Sequence, residues 1–264
     1  MEVIMIKYRI FLLAIIIFSQ ITVLNAGWVI EQSTTDEDGS VMTETLYFQD
    51  NKLKDFTGEQ STIMDLESDQ MIMENHATKT YWQGSYSDMM SESEDAAKMQ
   101  MEQMMENMAP EERKAYQQYM DQMEDETPEP ETQQKPTIKI VKKSSEATIA
   151  GYKTTLYEIY SDGEHVEDAW ISEQVPVLNE IDMKRFGDFF EEVMGDDELS
   201  YDNTPEYREL LMKGFPLKTV EYSPMGNMVI EVTSVEKKTL PKSTFMPPNG
   251  YKKVSIGNLW QSGQ

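Results

Sequence analysis

The chain has 264 residues, no Cys, and 48 acidic against 23 basic side chains, for a net charge of −25. The missing thiols exclude disulfides, thiolate metal sites and a thiol nucleophile, and the charge repels phosphate backbones, so no nucleic acid is expected as a partner. A hydrophobic fraction of 39% fits a folded chain, and the carboxylate surplus either keeps that chain soluble and monomeric or attracts a cationic partner.

Lys7 and Arg9 precede an apolar run from Ile10 to Phe18, and a more polar stretch ends at Asn25-Ala26-Gly27. This is the plan of a secretory signal peptide over 1–26, cleaved after Ala26. Ser19, Gln20 and Thr22 interrupt the run before it reaches the roughly 20 apolar residues of a spanning helix. The expectation is an exported, periplasmic protein, soluble after cleavage, with one β-rich envelope domain over 27–264.

Short strands are expected at Trp28–Thr35, Val41–Gln49, Thr62–Leu66, Met71–Glu74 and Thr78–Trp82, where β-branched and aromatic residues alternate with turn residues. Asp38-Gly39 offers the positive φ angles of a tight hairpin, and Ser68-Asp69 marks another turn. From 85 to 136 the character changes to a Met-rich, acidic insertion and linker with 14 acidic and four basic residues. Met101, Met104, Met105 and Met108 recur at i, i+3, i+4 and i+7, which places four thioethers on one helical face. Pro110 suits a first helical turn, and Tyr116, Tyr119, Met120 and Met123 repeat the spacing, so a helical hairpin followed by a linker over Thr127–Pro136 is expected.

Strands resume at Thr137–Lys142, and Asp162-Gly163 joins Tyr152–Tyr160 to His165–Ile171. Phe186, Phe189, Phe190, Val193 and Met194 form the apolar stripe of a helix. Thr204 as N-cap and Pro205 at the first position predict a short helix that buries Tyr207, Leu210 and Leu211 and stops at Gly214. Leu217–Tyr222 and Met228–Val235 flank the turn Pro224-Met225-Gly226-Asn227. The order predicts an α+β fold: a curved antiparallel sheet or open half-barrel, helices across its concave side, and a Met-rich helical insertion.

No catalytic constellation can be assembled. His76 and His165 lack ligand partners at metal-site spacing, His76 reads as a solvent-exposed loop residue, and no nucleophile elbow, phosphate loop or dinucleotide fingerprint occurs. The Met face packs on the sheet, serves as a lid or ligand surface, or holds copper(I), which thioethers suit although no His or Cys lies in the segment.

The segments Gly27-Trp-Val-Ile-Glu-Gln32, His76-Ala-Thr-Lys-Thr-Tyr-Trp82, Met108-Ala-Pro-Glu-Glu-Arg113, Ile149-Ala-Gly-Tyr-Lys153 and Phe245-Met-Pro-Pro-Asn-Gly-Tyr-Lys252 resemble the bacterial domain-of-unknown-function family numbered 4412. That family distantly resembles the LolA-like lipoprotein-localisation carriers, in which helices cover an open half-barrel that can hold acyl chains. The resemblance implies no catalytic residues and no cofactor. The first functional expectation is a non-enzymatic periplasmic binding protein with an apolar groove for a lipid-like or acyl ligand, lined by Met101, Met104, Met105, Met108, Phe186, Phe189 and Phe190. The alternatives are an envelope protein-interaction or stress module without a small ligand, whose Met face docks a partner, and a Met-rich copper-binding protein.

Overall fold

The structure is a computed structural model and describes residues 26–114, 116, 135–194, 200–224 and 226–260. The signal segment, the second arm of the expected helical hairpin beyond Tyr116, and most of the linker lie outside the described residues.

Twelve strands form one open sheet: β1 (Gly27–Thr35), β2 (Val41–Gln49), β3 (Lys52–Phe56), β4 (Gln60–Asp65), β5 (Gln70–Asn75), β6 (Thr80–Gly84), β7 (Ile138–Ile149), β8 (Tyr152–Ser161), β9 (Glu164–Ser172), β10 (Phe215–Ser223), β11 (Gly226–Lys238) and β12 (Lys252–Lys253). Their order across the sheet is β12-β6-β5-β4-β3-β2-β1-β11-β10-β9-β8-β7. Every pairing is antiparallel except the short β12–β6 contact. Among the described residues, α1 (Tyr86–Asn107), α2 (Met183–Met194), α3 (Pro205–Leu211) and α4 (Ile256–Leu259) accompany it, and a further helical stretch begins at Pro110.

The two Asp-Gly turns differ. Asp162 and Gly163 both have positive φ, 51° and 90°, and Ser161 pairs with Glu164, which makes the tight two-residue hairpin the sequence predicts. At the other, Thr35 pairs with Val41, so five residues connect the strands and only Gly39 is left-handed. There the Asp38 carboxylate accepts from the Ser40 amide at 2.8 Å and shapes a wider loop. Asp50 and Asn51, with φ of 51° and 59°, form an unanticipated tight turn into β3, which the sequence reading had missed.

β1 lies at the middle of the sheet, against β2 and β11, and Trp28, Val29 and Ile30 are all buried because both faces are covered there. On one face Trp28, Ile30, Phe48, Met71, Trp82, Leu217 and Val232 pack under Val175, Val177, Ile181, Phe189, Ile256 and Leu259. The strand register continues this face through Thr219 and Ala169 to Tyr157, where Tyr201, Tyr207 and Leu210 cover it. Helices α1 to α4 therefore sit on one side, as expected of a half-barrel covered on its concave side. On the other face Val29, Ile63 and Ile72 pack with Leu240 and Phe245.

The helix starts follow from capping. Asp182 accepts from the amides of Lys184 and Arg185 at 3.0 and 3.2 Å before α2 proceeds. Thr204 accepts from the Tyr207 amide, with Pro205 at the first position of α3. Gly214 ends that segment because it passes against the sheet: a Cβ there would lie 2.1 Å from the Ser172 carbonyl oxygen.

The connection between β6 and β7 is a crossover. β6 lies second from one edge and β7 is the opposite edge, so ten strand intervals separate them. At ~4.8 Å per interval the chain must cover roughly 30–50 Å, depending on curvature. The 22 residues of α1 supply about 33 Å of that span at 1.5 Å per residue.

Candidate functional site

The candidate site is built on α1, whose two halves have different surroundings. Ser85 and Asp88 form a capping box, the Ser85 hydroxyl accepting from the Asp88 amide and the Asp88 carboxylate accepting from the Ser85 amide. Tyr86 and Met89 then pack on the core, with the Tyr86 ring 6.5 Å from Phe189. One carboxylate oxygen of Glu92 accepts from the Trp82 indole and from the Ile256 amide, both at 3.0 Å, which ties the helix to β6 and to the start of α4. Ala96 lies so close to Gly257 that an added Cβ there would sit 2.9 Å from its methyl.

Beyond Ala96 the helix leaves this support. Every residue from Ala97 to Met104 is exposed, and Met105 and Met108 are half-buried. Met90, Met99, Met101 and Met104 are 42, 58, 37 and 43% exposed. At about 100° per residue, Met90, Met101, Met104 and Met105 share one stripe, turned about 100° from the stripe through Met89 and Ala96 that docks on the protein, and Met108 follows as the extended C-cap residue. Glu102 and Asp95 lie along one flank of the thioethers, and Gln100 and Gln103 along the other. The Arg113 guanidinium closes the far end of the helix, donating from Nε to the Met105 carbonyl at 2.8 Å.

The structure thus separates the seven sequence-predicted residues into two sets. Met101, Met104 and Met105 lie on the distal half of α1 and Met108 is its C-cap, all outside the core clusters of the described residues. Phe186 and Phe189 belong to the sheet core, and the Phe190 side chain lies outside the described residues. The sequence reading missed Met90, which was detectable as the same stripe continued three turns back.

Two buried polar clusters escaped the sequence reading. Glu167, 1% exposed, accepts from the Tyr201 and Tyr207 hydroxyls at 2.9 and 3.0 Å. Burial pushes its carboxyl up to about 7, the two hydroxyl donors oppose the shift, and Glu221 and Asp202 add to it. Burial raises both tyrosines as well, followed by the charge of Glu167.

On the opposite face, Glu74 accepts from Lys54 Nζ at 2.9 Å and from the Ser61 hydroxyl at 2.5 Å. His76 then donates from Nε2 to Ser61 Oγ at 2.7 Å and accepts at Nδ1 from the Tyr251 hydroxyl at 2.8 Å. His76 is therefore an anchor for the C-terminal segment, which corrects its reading as an exposed loop residue. Burial holds it below the ordinary histidine range, with Lys54 adding to that effect against Glu74. The Ser61 proton is committed to Glu74, so this arrangement does not prime Ser61 through His76.

The described residues line open clefts. One, about 330 Å³, is lined by Ile140, Lys142, Tyr157, Glu206, Glu209 and Lys213. Another, about 340 Å³, is lined by Asp36, Glu37, Asp38, Gly226, Asn227 and Met228. Neither includes any of the seven predicted residues. Among the described residues no group of three or more His, Asp or Glu side chains could hold a metal, and no helix is long and apolar enough to cross a membrane.

The architecture is that of an open antiparallel half-barrel with helices on one face. The family described as a domain of unknown function (DUF4412) matches residues 87–251, and the chain belongs to that family. No curated protein matches the sequence. Among solved structures, the chain is similar to PNGF-II, with 11% identity, 89% of this chain and 32% of that chain covered, and a TM-score of 0.35. It therefore spans about a third of PNGF-II. An uncharacterised conserved protein from Thermus thermophilus gives 9% identity, coverages of 88 and 91%, and a TM-score of 0.41. A putative outer membrane lipoprotein-sorting protein domain from Vibrio parahaemolyticus gives 10% identity, coverages of 84 and 90%, and a TM-score of 0.27.

Proposed function

We propose that this protein is an exported, non-enzymatic binding module of the cell envelope that receives a basic amphipathic helix of a partner protein on the Met face of α1. The observation that carries this reading is the exposed stripe of Met90, Met101 and Met104 on a helix whose first half is anchored to the core. Thioethers are flexible and polarizable, so such a face adapts to apolar side chains of varied shape. A helix can dock there through its i, i+3, i+4 and i+7 anchors.

Charge selects the sign of the partner. α1 carries six acidic side chains and one lysine, within a chain of net charge −25. A basic amphipathic helix complements both the apolar stripe and the acidic flank, whereas an acidic one is repelled. The signal-like segment over 1–26 supports an envelope location. The groove reading, with an acyl ligand between the Met helix and the phenylalanines, is less well supported because Phe186 and Phe189 are taken up by core packing.

The test is calorimetric titration of the mature protein with a synthetic Leu/Lys amphipathic helix, a Leu/Glu helix of the same pattern, and a fluorescent fatty acid. Binding of the Leu/Lys helix that weakens with salt, and is lost when Met101, Met104, Met105 and Met108 are changed to Gln, is expected. Equal binding of both peptides, or retention by the Gln variant, would contradict the proposal. Saturable fatty-acid binding without peptide binding would favour the groove.

A further inference from the structure

We infer that the Met face of α1 is a reversible oxidation site that switches the partner surface off. This inference rests on the proposed docking of a basic amphipathic helix there. The chain has 21 Met and no Cys, so thioethers are its only oxidisable sulfur. Among the described residues, seven methionines are strongly exposed, and four of them, Met90, Met99, Met101 and Met104, belong to α1. Core methionines are shielded, Met71 being 5% exposed under the helical cover.

The reaction needs an envelope oxidant of the hypohalous acid class. The Sδ lone pair attacks the oxygen of hypochlorous acid, an S–O bond forms and the O–Cl bond breaks. Chloride leaves, and the hydroxyl proton passes to water. Sulfur loses two electrons and chlorine gains them. The product sulfoxide is polar and chiral, and a methionine sulfoxide reductase can return it to the thioether.

The structure separates the effect of this reaction on binding from its effect on folding. α1 is anchored through Tyr86, Met89, Glu92 and Ala96, and the thioethers of Met101 and Met104 lie beyond that anchor. Sulfoxides there convert an apolar stripe into a polar one while the core contacts persist. The exposed stripe therefore loses its partner before the protein loses its fold.

The experiment treats the folded mature protein with limiting hypochlorous acid, maps sulfoxides by peptide mass spectrometry, and measures affinity for the Leu/Lys amphipathic helix before and after. Met101 and Met104 should oxidise ahead of Met71, and affinity should fall at least about tenfold, the loss expected when one apolar contact is forfeited. The thermal midpoint should stay put, and reductase treatment should restore binding. A variant with Met90, Met101, Met104, Met105 and Met108 changed to Leu should bind with an affinity, whatever its value, that the oxidant does not move. Oxidation of Met71 as fast as Met101, or unchanged affinity despite sulfoxides on the stripe, overturns the switch while leaving the docking proposal standing. A reduced protein that ignores the peptide removes the docking proposal and this inference together.

Discussion

Glu167→Gln isolates a single buried carboxyl. In the folded protein Glu167 lies beneath Tyr201 and Tyr207, beside Glu221 and Asp202, and burial raises its carboxyl from 4.5 to about 7. The folded state therefore holds the proton more tightly than the unfolded chain does. Its contribution is fully present below about pH 4.5 and is lost as pH rises through about 7, the sign that linkage requires for a raised carboxyl. At 1.36 kcal/mol per pH unit the wild type forfeits roughly 3 kcal/mol across this window. The amide mimics the neutral carboxyl and accepts from both tyrosines but does not titrate, and its extra N–H bonds add an offset of about 1–3 kcal/mol that is the same at every pH. Urea unfolding of both proteins at pH 5, 6, 7 and 8 gives the stability difference, in which titration of the other groups cancels. The variant should gain roughly 2–3 kcal/mol on the wild type between pH 5 and 8. A difference that stays flat would refute the assignment of the raised carboxyl to Glu167.

Glu92→Ala removes the acceptor of the Trp82 indole and the Ile256 amide, so it should cost about 2–3 kcal/mol in chemical denaturation and loosen the start of α1. Hydrogen exchange of the Ile256 amide would report the second effect directly. Gly214→Ala places a methyl 2.1 Å from the Ser172 carbonyl oxygen. It should lower stability by at least about 3 kcal/mol, or prevent folding, as a backbone collision that no rotamer can relieve. Replacing 89–131 with a six-residue linker leaves only 85–88, the linker and 132–137 to join β6 to β7. Such a chain reaches at most about 55 Å, so it must run almost fully extended where the span is about 50 Å, and circular dichroism and exchange should then show loss of the β7–β8 pairing.

Local chemistry made much of this fold legible. Thr204 and Pro205 announce α3 because a side-chain acceptor and a fixed φ are properties of two neighbouring residues. Asp162-Gly163 announces a hairpin for the same reason. Asp38-Gly39 illustrates the limit, since the Asp38 carboxylate is used by Ser40 and the loop widens to five residues. β3 was missed because Lys52-Leu-Lys-Asp-Phe56 is short and charged, and its preceding turn is Asp50-Asn51 with no Gly.

The site was legible to a lesser degree. Helical spacing grouped Met101, Met104, Met105 and Met108, but only tertiary structure shows that Glu92 anchors the helix and that Phe186 and Phe189 belong to the core. His76 meets Tyr251 across 175 positions of sequence, and Glu167 meets Tyr207 across 40. In a chain with 48 carboxylates, nothing local marks the ones that become buried. The crossover role of 85–137 was likewise hidden, because it depends on β6 and β7 lying near opposite edges of the sheet.

The most direct measurement is an NMR titration of the mature protein, labelled at the methionine methyls, with the Leu/Lys amphipathic helix at low ionic strength. The methyls of Met101, Met104, Met105 and Met108 should shift progressively and return toward their free positions as salt is added, while that of Met71 stays fixed. Unmoved α1 methyls, or shifts confined to Met71 and its core neighbours, would contradict a docking surface on α1.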